Sequence, residues 1–206
     1  MQAEFHPVHG NTDVAERKPL GELATVDSGY SFRSSLEAVG AGQTAVVQLK
    51  DVADDYPINF SVLPKVSLSN VKPAHQLAKG DIVFRSRGNT ATAALVEEQP
   101  KNAIVAAPLF RIRVTSPTVD PAYLAWFINQ TPARNFLASH SRGSVMTMVP
   151  KEALVQLPVV VPPIATQRTV VEIAGLAERE YFLSIQIAEK RRRIIRQQLT
   201  ALSEEK

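Results

Sequence analysis

Arginines are the residues of this chain best suited to chemistry, and they come in pairs. Arg85 and Arg87 stand two apart in Asp81-Ile-Val-Phe-Arg-Ser-Arg, as do Arg111 and Arg113 in Leu109-Phe-Arg-Ile-Arg-Val. On a strand, residues two apart project from one face. Each pair then aims two planar guanidinium forks in one direction, a geometry that fits phosphate oxygens and guanine edges. Arg142 in Ser141-Arg-Gly-Ser is loop-borne, where a guanidinium can reach a groove. Asn89 and Ser144, with Ser86 and Ser141, add neutral donors and acceptors. The candidate DNA-binding residues are therefore Arg85, Arg87, Asn89, Arg142 and Ser144. Alternating arginines also have a plainer reading, as the solvent face of a half-exposed sheet, and spacing alone does not separate the two.

Catalysis finds less support. There is no Asn/Asp-Pro-Pro-aromatic cradle for amino-group methylation and no glycine-rich cofactor or phosphate loop. The Gly-x-Ser-x-Gly elbow of a serine hydrolase is missing too. Asp51, Asp54, Asp55, Glu97, Glu98 and Lys101 resemble a nuclease set only when forced together; acidic surface turns explain them better. The sequence has 0 cysteines, which excludes disulfides, thiol catalysis and cysteine-ligated metals. The four histidines, His6, His9, His75 and His140, are scattered, so we expect no metal site, no cofactor and no catalytic residue. No apolar run approaches a membrane span and the N-terminus lacks a signal-peptide core, which together predict a cytoplasmic protein without a membrane partner.

Charge is distributed unevenly. Over the 206 residues the net charge is +3, a small hint of a polyanionic partner. Residues 1–80 carry 7 Lys/Arg against 9 Asp/Glu, whereas 81–150 carry 7 against 4, six of the seven being arginine. Basicity thus begins where the paired arginines begin. A second basic run, Lys190–Arg196, suits the last third of a helix facing an acidic partner better than it suits DNA.

The elements that must position these residues read as a mixed set. Residues 1–19 are polar and aperiodic, a loose arm, and Leu20–Val26 opens the fold with a short helix or turn. Strands are predicted over 44–50, 81–87, 91–96, 103–106 and 109–114, with a hairpin placing Arg85, Arg87 and Asn89 near its tip. Strand 81–87 alternates apolar and polar residues as a half-buried strand should. Asp120-Pro121 starts a helix as N-cap and first helical residue, a second helix runs over 132–138, and Trp126 reads as a core anchor. Leu157-Pro-Val-Val-Val-Pro-Pro is an edge strand.

From Pro163 to Leu202 there is no proline, and Gly175 is the single glycine, so a helix of about 60 Å is predicted. Ala174, Tyr181, Ala188, Ile195 and Leu202 recur every seven residues. Val171, Ile185 and Leu199 flank them, and Ile173, Ile187 and Ile194 form a further set. So wide a stripe needs a partner helix, and without an internal repeat that partner comes from another chain. Ala174, Tyr181, Ile185, Ala188, Ile195 and Leu202 are the candidate dimerisation residues.

The order of these pieces resembles one half of the DNA-specificity subunit of type I restriction–modification systems. The residues that carry this are Leu20-Gly-Glu-Leu-Ala-Thr-Val-Asp-Ser-Gly-Tyr-Ser-Phe-Arg, Val47-Gln-Leu-Lys-Asp-Val and Leu77-Ala-Lys-Gly-Asp-Ile-Val-Phe-Arg-Ser-Arg-Gly-Asn. Asp120-Pro-Ala-Tyr-Leu-Ala-Trp-Phe-Ile-Asn and the junction Leu157-Pro-Val-Val-Val-Pro-Pro-Ile-Ala-Thr-Gln complete the set, over about 19–202. The resemblance implies an α+β target-recognition domain (1–160), then a long spacer helix (161–206) that pairs as an antiparallel coiled coil. It implies a non-catalytic reader of double-stranded DNA that docks a methyltransferase subunit and, in some complexes, a restriction subunit. The family has this unit usually twice per chain; a single unit implies a homodimer. Two other readings remain open: an adaptor or decoy that binds a methyltransferase subunit without reading DNA, and a stand-alone dimeric DNA-binding regulator.

Overall fold

A computed structural model of the protein describes residues 16–32, 42–52, 57–68, 71–88, 91–143 and 147–204. It divides into two compact units, Met1–Gln167 and Arg168–Lys206. The first unit contains β1 (Glu16–Pro19), α1 (Leu20–Leu23), β2 (Ala24–Ser28), β3 (Thr44–Val47), β4 (Lys65–Val66) and β5 (Ile82–Arg85). These are followed by β6 (Thr92–Leu95), β7 (Ala103–Val105), β8 (Leu109–Val114), α2 (Pro121–Ile128), α3 (Thr131–Ser139), α4 (Lys151–Val155) and β9 (Pro158–Val161). The second unit is the body of α5 (Ile164–Glu204). The fold is α+β, and the predicted strands, hairpin and helices are present.

An antiparallel sheet in the order β2-β8-β5-β6 forms the frame. β5, at its interior, is not half-buried as its alternation suggests: Ile82, Val83 and Phe84 are each fully buried. Val83 packs with Ala94, Leu109 and the β3–β7 side chains Val47 and Val105, so both faces of β5 are covered. Each such side chain contributes about 1.5–3 kcal/mol. Beside this frame lies a three-stranded sheet, β4-β3-β7, whose β3–β7 pair is parallel. The exposed edge of β6 is closed by Asn129, whose amide accepts from Ala93 N at 2.9 Å and donates to Ala93 O at 2.8 Å.

The arm reading of 1–19 needs one correction: Glu16–Pro19 is a strand, paired antiparallel with Val161–Pro158 of β9. Its polar composition hid it because it is an edge strand, with Glu16 and Arg17 exposed. Trp126 is half-buried rather than a core anchor; Tyr123, Leu124, Phe127 and Ile128 fill the core from that helix. Burial raises the pKa of Tyr123, whose hydroxyl donates to Val160 O at 2.9 Å.

Gln167, in the first turn of α5, is tied into the first unit. Gln167 is 0% exposed. It donates to Thr118 O at 2.8 Å and Pro162 O at 2.7 Å, and accepts from Asp120 N at 2.8 Å. This fixes the glutamine of the double-proline junction as a residue of the first unit, which runs to Gln167. Asp120 itself caps α2, accepting from Ala122 N at 2.8 Å. Asp120→Ala is expected to cost about 1 kcal/mol, seen as a lower urea midpoint at unchanged slope.

Candidate nucleic-acid interface

The end of the sheet where β5 leaves and β6 returns gathers one part of the predicted arginine set. Beyond Arg85 the chain runs beside residues 147–149: Val149 N donates to Ser86 O at 2.8 Å and Gly88 N to Thr147 O at 3.2 Å. Thr147 Oγ1 donates to Gly88 O at 2.7 Å. Met148 pairs antiparallel with Arg87 on one side and Arg142 on the other. The Arg142–Met148 pair exchanges both amide bonds, at 3.0 and 2.9 Å. Residues directly opposite in such ladders share a face, so Arg87 and Arg142 flank Met148 on one side, two strand spacings or about 10 Å apart. An Arg87 Nη2 contact to Met148 Sδ at 3.8 Å agrees.

Both arginines are exposed, and no ion pair among the described residues engages either. Gly88 and Gly143, one residue beyond each arginine, have φ of +127° and +101°. Side chains rarely adopt that region, so these glycines permit the bends that leave the guanidinium groups at the rim.

The other predicted residues fall elsewhere. Arg85 turns into the fold, donating to Val52 O at 2.9 Å and Thr92 Oγ1 at 3.4 Å. Asn89 and Ser144 lie outside the described residues, as do Asp54, Asp55, His6 and His9. Arg111 and Arg113 are both tied within the fold, Arg111 buried and Arg113 half-buried. Arg111 is 5% exposed and donates to Asp27 at 2.6 Å, Pro73 O at 3.0 Å and Gln76 O at 2.8 Å. Arg113 forks onto buried Asp81 at 2.6 and 2.7 Å. Its hydrogen bonds to Asp81 raise the Arg113 pKa against the opposing cost of burial. These pairs tie the sheet to the 73–81 segment. His75 and His140 donate from Nδ1 to the backbone carbonyls of Ser28 at 3.1 Å and Phe136 at 2.8 Å.

Two residues that sequence reasoning passed over join the rim. Arg134 and Asn135 of α3 line a cleft of about 230 Å³ with Ser86, Gly88, Ser141 and Thr147. Their signal was the polar face of a helix whose buried positions are Ala133 and Leu137. What that face meets depends on residues 147–149 pairing beside 86–88, which periodicity does not encode. No group of three or more His, Asp or Glu that would hold a metal occurs among the described residues.

In α5 two apolar stripes are exposed. One is the predicted set, with Tyr181, Ile185, Ile195 and Leu202 exposed and Ala174 half-buried. The other carries Ile173, Leu176, Leu183, Ile187 and Ile194. No helix among the described residues is long and apolar enough to cross a membrane.

An α+β unit with exposed arginines at one sheet end is thus followed by a 41-residue helix with two exposed apolar stripes. No protein-family model and no curated protein matches the sequence. Solved structures do match. The HsdS subunit from Thermoanaerobacter tengcongensis shares the fold at TM-score 0.57 and 18% identity, over 85% of this chain and 40% of that one. The S subunit of a type I restriction–modification system from M. genitalium does so at 0.54 and 10%, over 82% and 40%. A chain from a structure of the assembly and conformational transition of a type I R-M system matches at 0.59 and 16%, over 85% and 41%. The chain therefore has the fold of type I restriction–modification S subunits, and it spans about 40% of the length of those it matches.

Proposed function

We propose that this protein is a half-length specificity subunit. It reads double-stranded DNA with its α+β unit, pairs with a second copy through α5, and directs a type I methyltransferase complex, with or without a restriction subunit, to its target. It is not itself the catalyst. The observation that carries this reading is the Arg87–Met148–Arg142 ladder: two exposed guanidinium groups on one face, held by backbone pairing at the rim of an S-subunit fold. Arg134 and Asn135 extend the surface that would meet the duplex, and Asn89 and Ser144 remain candidates on their side-chain chemistry alone. That α5 exposes two apolar stripes, where a twin helix needs one, supports a further helical partner such as a docked methyltransferase subunit.

Binding to a duplex is expected to weaken as salt rises. Arg87 and Arg142 alone imply a log–log slope of about −2 per recognition unit, since each neutralised phosphate contributes about −0.9. Fluorescence anisotropy across a salt series measures it; binding that does not depend on salt, or no binding at low salt, rejects the DNA-reading function.

One observation favours a second reading, the adaptor that no longer reads DNA: Arg85, Arg111 and Arg113 are engaged within the fold, which leaves fewer cations for phosphate. Under that reading the protein captures a methyltransferase subunit and ignores DNA.

A further inference from the structure

The two stripes of α5 differ in what they can mate with, and the difference selects one pairing. The first runs Val171, Ala174, Glu178, Tyr181, Ile185, Ala188, Arg192, Ile195, Leu199, Leu202; the second runs Ile173, Leu176, Glu180, Leu183, Ile187, Lys190, Ile194, Gln197, Ala201. Both advance by alternating steps of three and four, the spacing of a two-helix seam. At about 100° per residue they lie on opposite sides of the helix. Each includes an acid and a base among apolar positions, and that is where registers are decided.

We propose that a second copy of this chain packs antiparallel along the second stripe, with Glu180 opposite Lys190 of the other copy and the two-fold axis at residue 185. This rests on the homodimer reading above and names its interface. In that register Leu176 faces Ile194 and Leu183 faces Ile187, so the layers from Leu176 to Ile194 are aliphatic on aliphatic except for one pair of opposite charges, made twice by symmetry. The seam spans about 27 Å. The large side chains on it, Ile173, Leu176, Leu183, Ile187 and Ile194, are all exposed, from 50% to 62%.

Other arrangements lose this match. A parallel pair sets Glu180 on Glu180 and Lys190 on Lys190. Sliding the antiparallel pair by seven residues sets Lys190 against Ile187 or Ile173, and Glu180 against Gln197 or Leu183. Along the first stripe, which the heptad pattern alone favours, antiparallel layers oppose Glu178 to Ile195, Ala188 or Leu202, never to Arg192. An acid facing an apolar layer loses water without gaining a partner. The axis at 185 also lies close to the middle of α5 (Ile164–Glu204), so most of both helices is used. The first stripe is then left for the other partner of the complex.

With 0 cysteines in the chain, single-cysteine variants of the full-length protein map the interface without background. Leu176→Cys mixed with Ile194→Cys is expected to give a disulfide-linked dimer on a non-reducing gel; neither variant should link to itself, and Ala174→Cys mixed with Leu199→Cys should not link. In sedimentation, Glu180→Lys and Lys190→Glu should each raise the dimer dissociation constant at least about tenfold, because like charges then meet. The double variant Glu180→Lys/Lys190→Glu should return it to within about threefold of the parent. Self-linking of Leu176→Cys, linking through Ala174 and Leu199, or failure of the double variant to recover overturns this interface while the parent still dimerises. A parent that sediments as a monomer at all concentrations overturns the homodimer reading itself.

Discussion

The double variant Arg87→Glu/Arg142→Glu is expected to lose duplex binding by about 100-fold or more at 100 mM salt, while its circular dichroism and its sedimentation stay those of the parent. Each contact of this kind is worth about 1–3 kcal/mol, and reversal replaces two attractions by two repulsions from the phosphate backbone. Folding should be indifferent, because the 87–148–142 ladder is made by backbone groups. Both guanidinium groups are exposed and no ion pair among the described residues engages them. A competition titration with specific and random duplexes then separates the roles. If one arginine reads a base, its single variant narrows the gap between the two duplexes; if it contacts phosphate, it weakens both alike. Unchanged binding by the double variant would move the interface away from this rim.

Arg111→Met should act in the opposite way, on stability and only secondarily on binding. We expect a loss of about 2–3 kcal/mol, below the cost of breaking a fully buried ion pair because the Asp27 side chain is 31% exposed, against about 5–15 kcal/mol for a whole domain. The variant removes the partner of Asp27 and two donors to the carbonyls of Pro73 and Gln76. Methionine replaces the stem but none of the polar contacts. Urea denaturation measures the loss. Should Arg111→Met unfold at the parent's midpoint yet bind DNA poorly, the arginine belongs to the interface and the internal pairing is incidental.

These two arginines mark how far the sequence could be read. Period and punctuation identified the strands, the Asp120-Pro121 helix start and the long helix, because each depends on neighbours in sequence. The fate of a strand-borne arginine depends on what crosses the sheet. Arg111 lies opposite Asp27, 84 positions away, and Arg113 reaches Asp81 in another turn, so the same two-residue spacing that suggested a binding surface encodes internal ties. Arg85 is turned inward by Val52, while Arg87, with identical local spacing, clears the end of the sheet. Arg87 and Arg142 share a face through Met148, which neither pair spacing nor loop composition announces. The glutamine after the double proline was visible as a motif; that it is buried with three partners could not be seen without Thr118 and Asp120 beside it. Edge strand β1 escaped notice for the reverse reason: a strand that faces solvent need not look like one.

That edge strand has a genetic consequence. Because Glu16–Pro19 lies antiparallel to Pro158–Val161, the first and last described strands of the α+β unit are neighbours, about 5 Å apart. A unit with adjoining ends can be excised or replaced as a cassette without rethreading what it is attached to. Under the proposed function, recombination between such genes at the two short segments would exchange one target preference for another and leave α5 untouched.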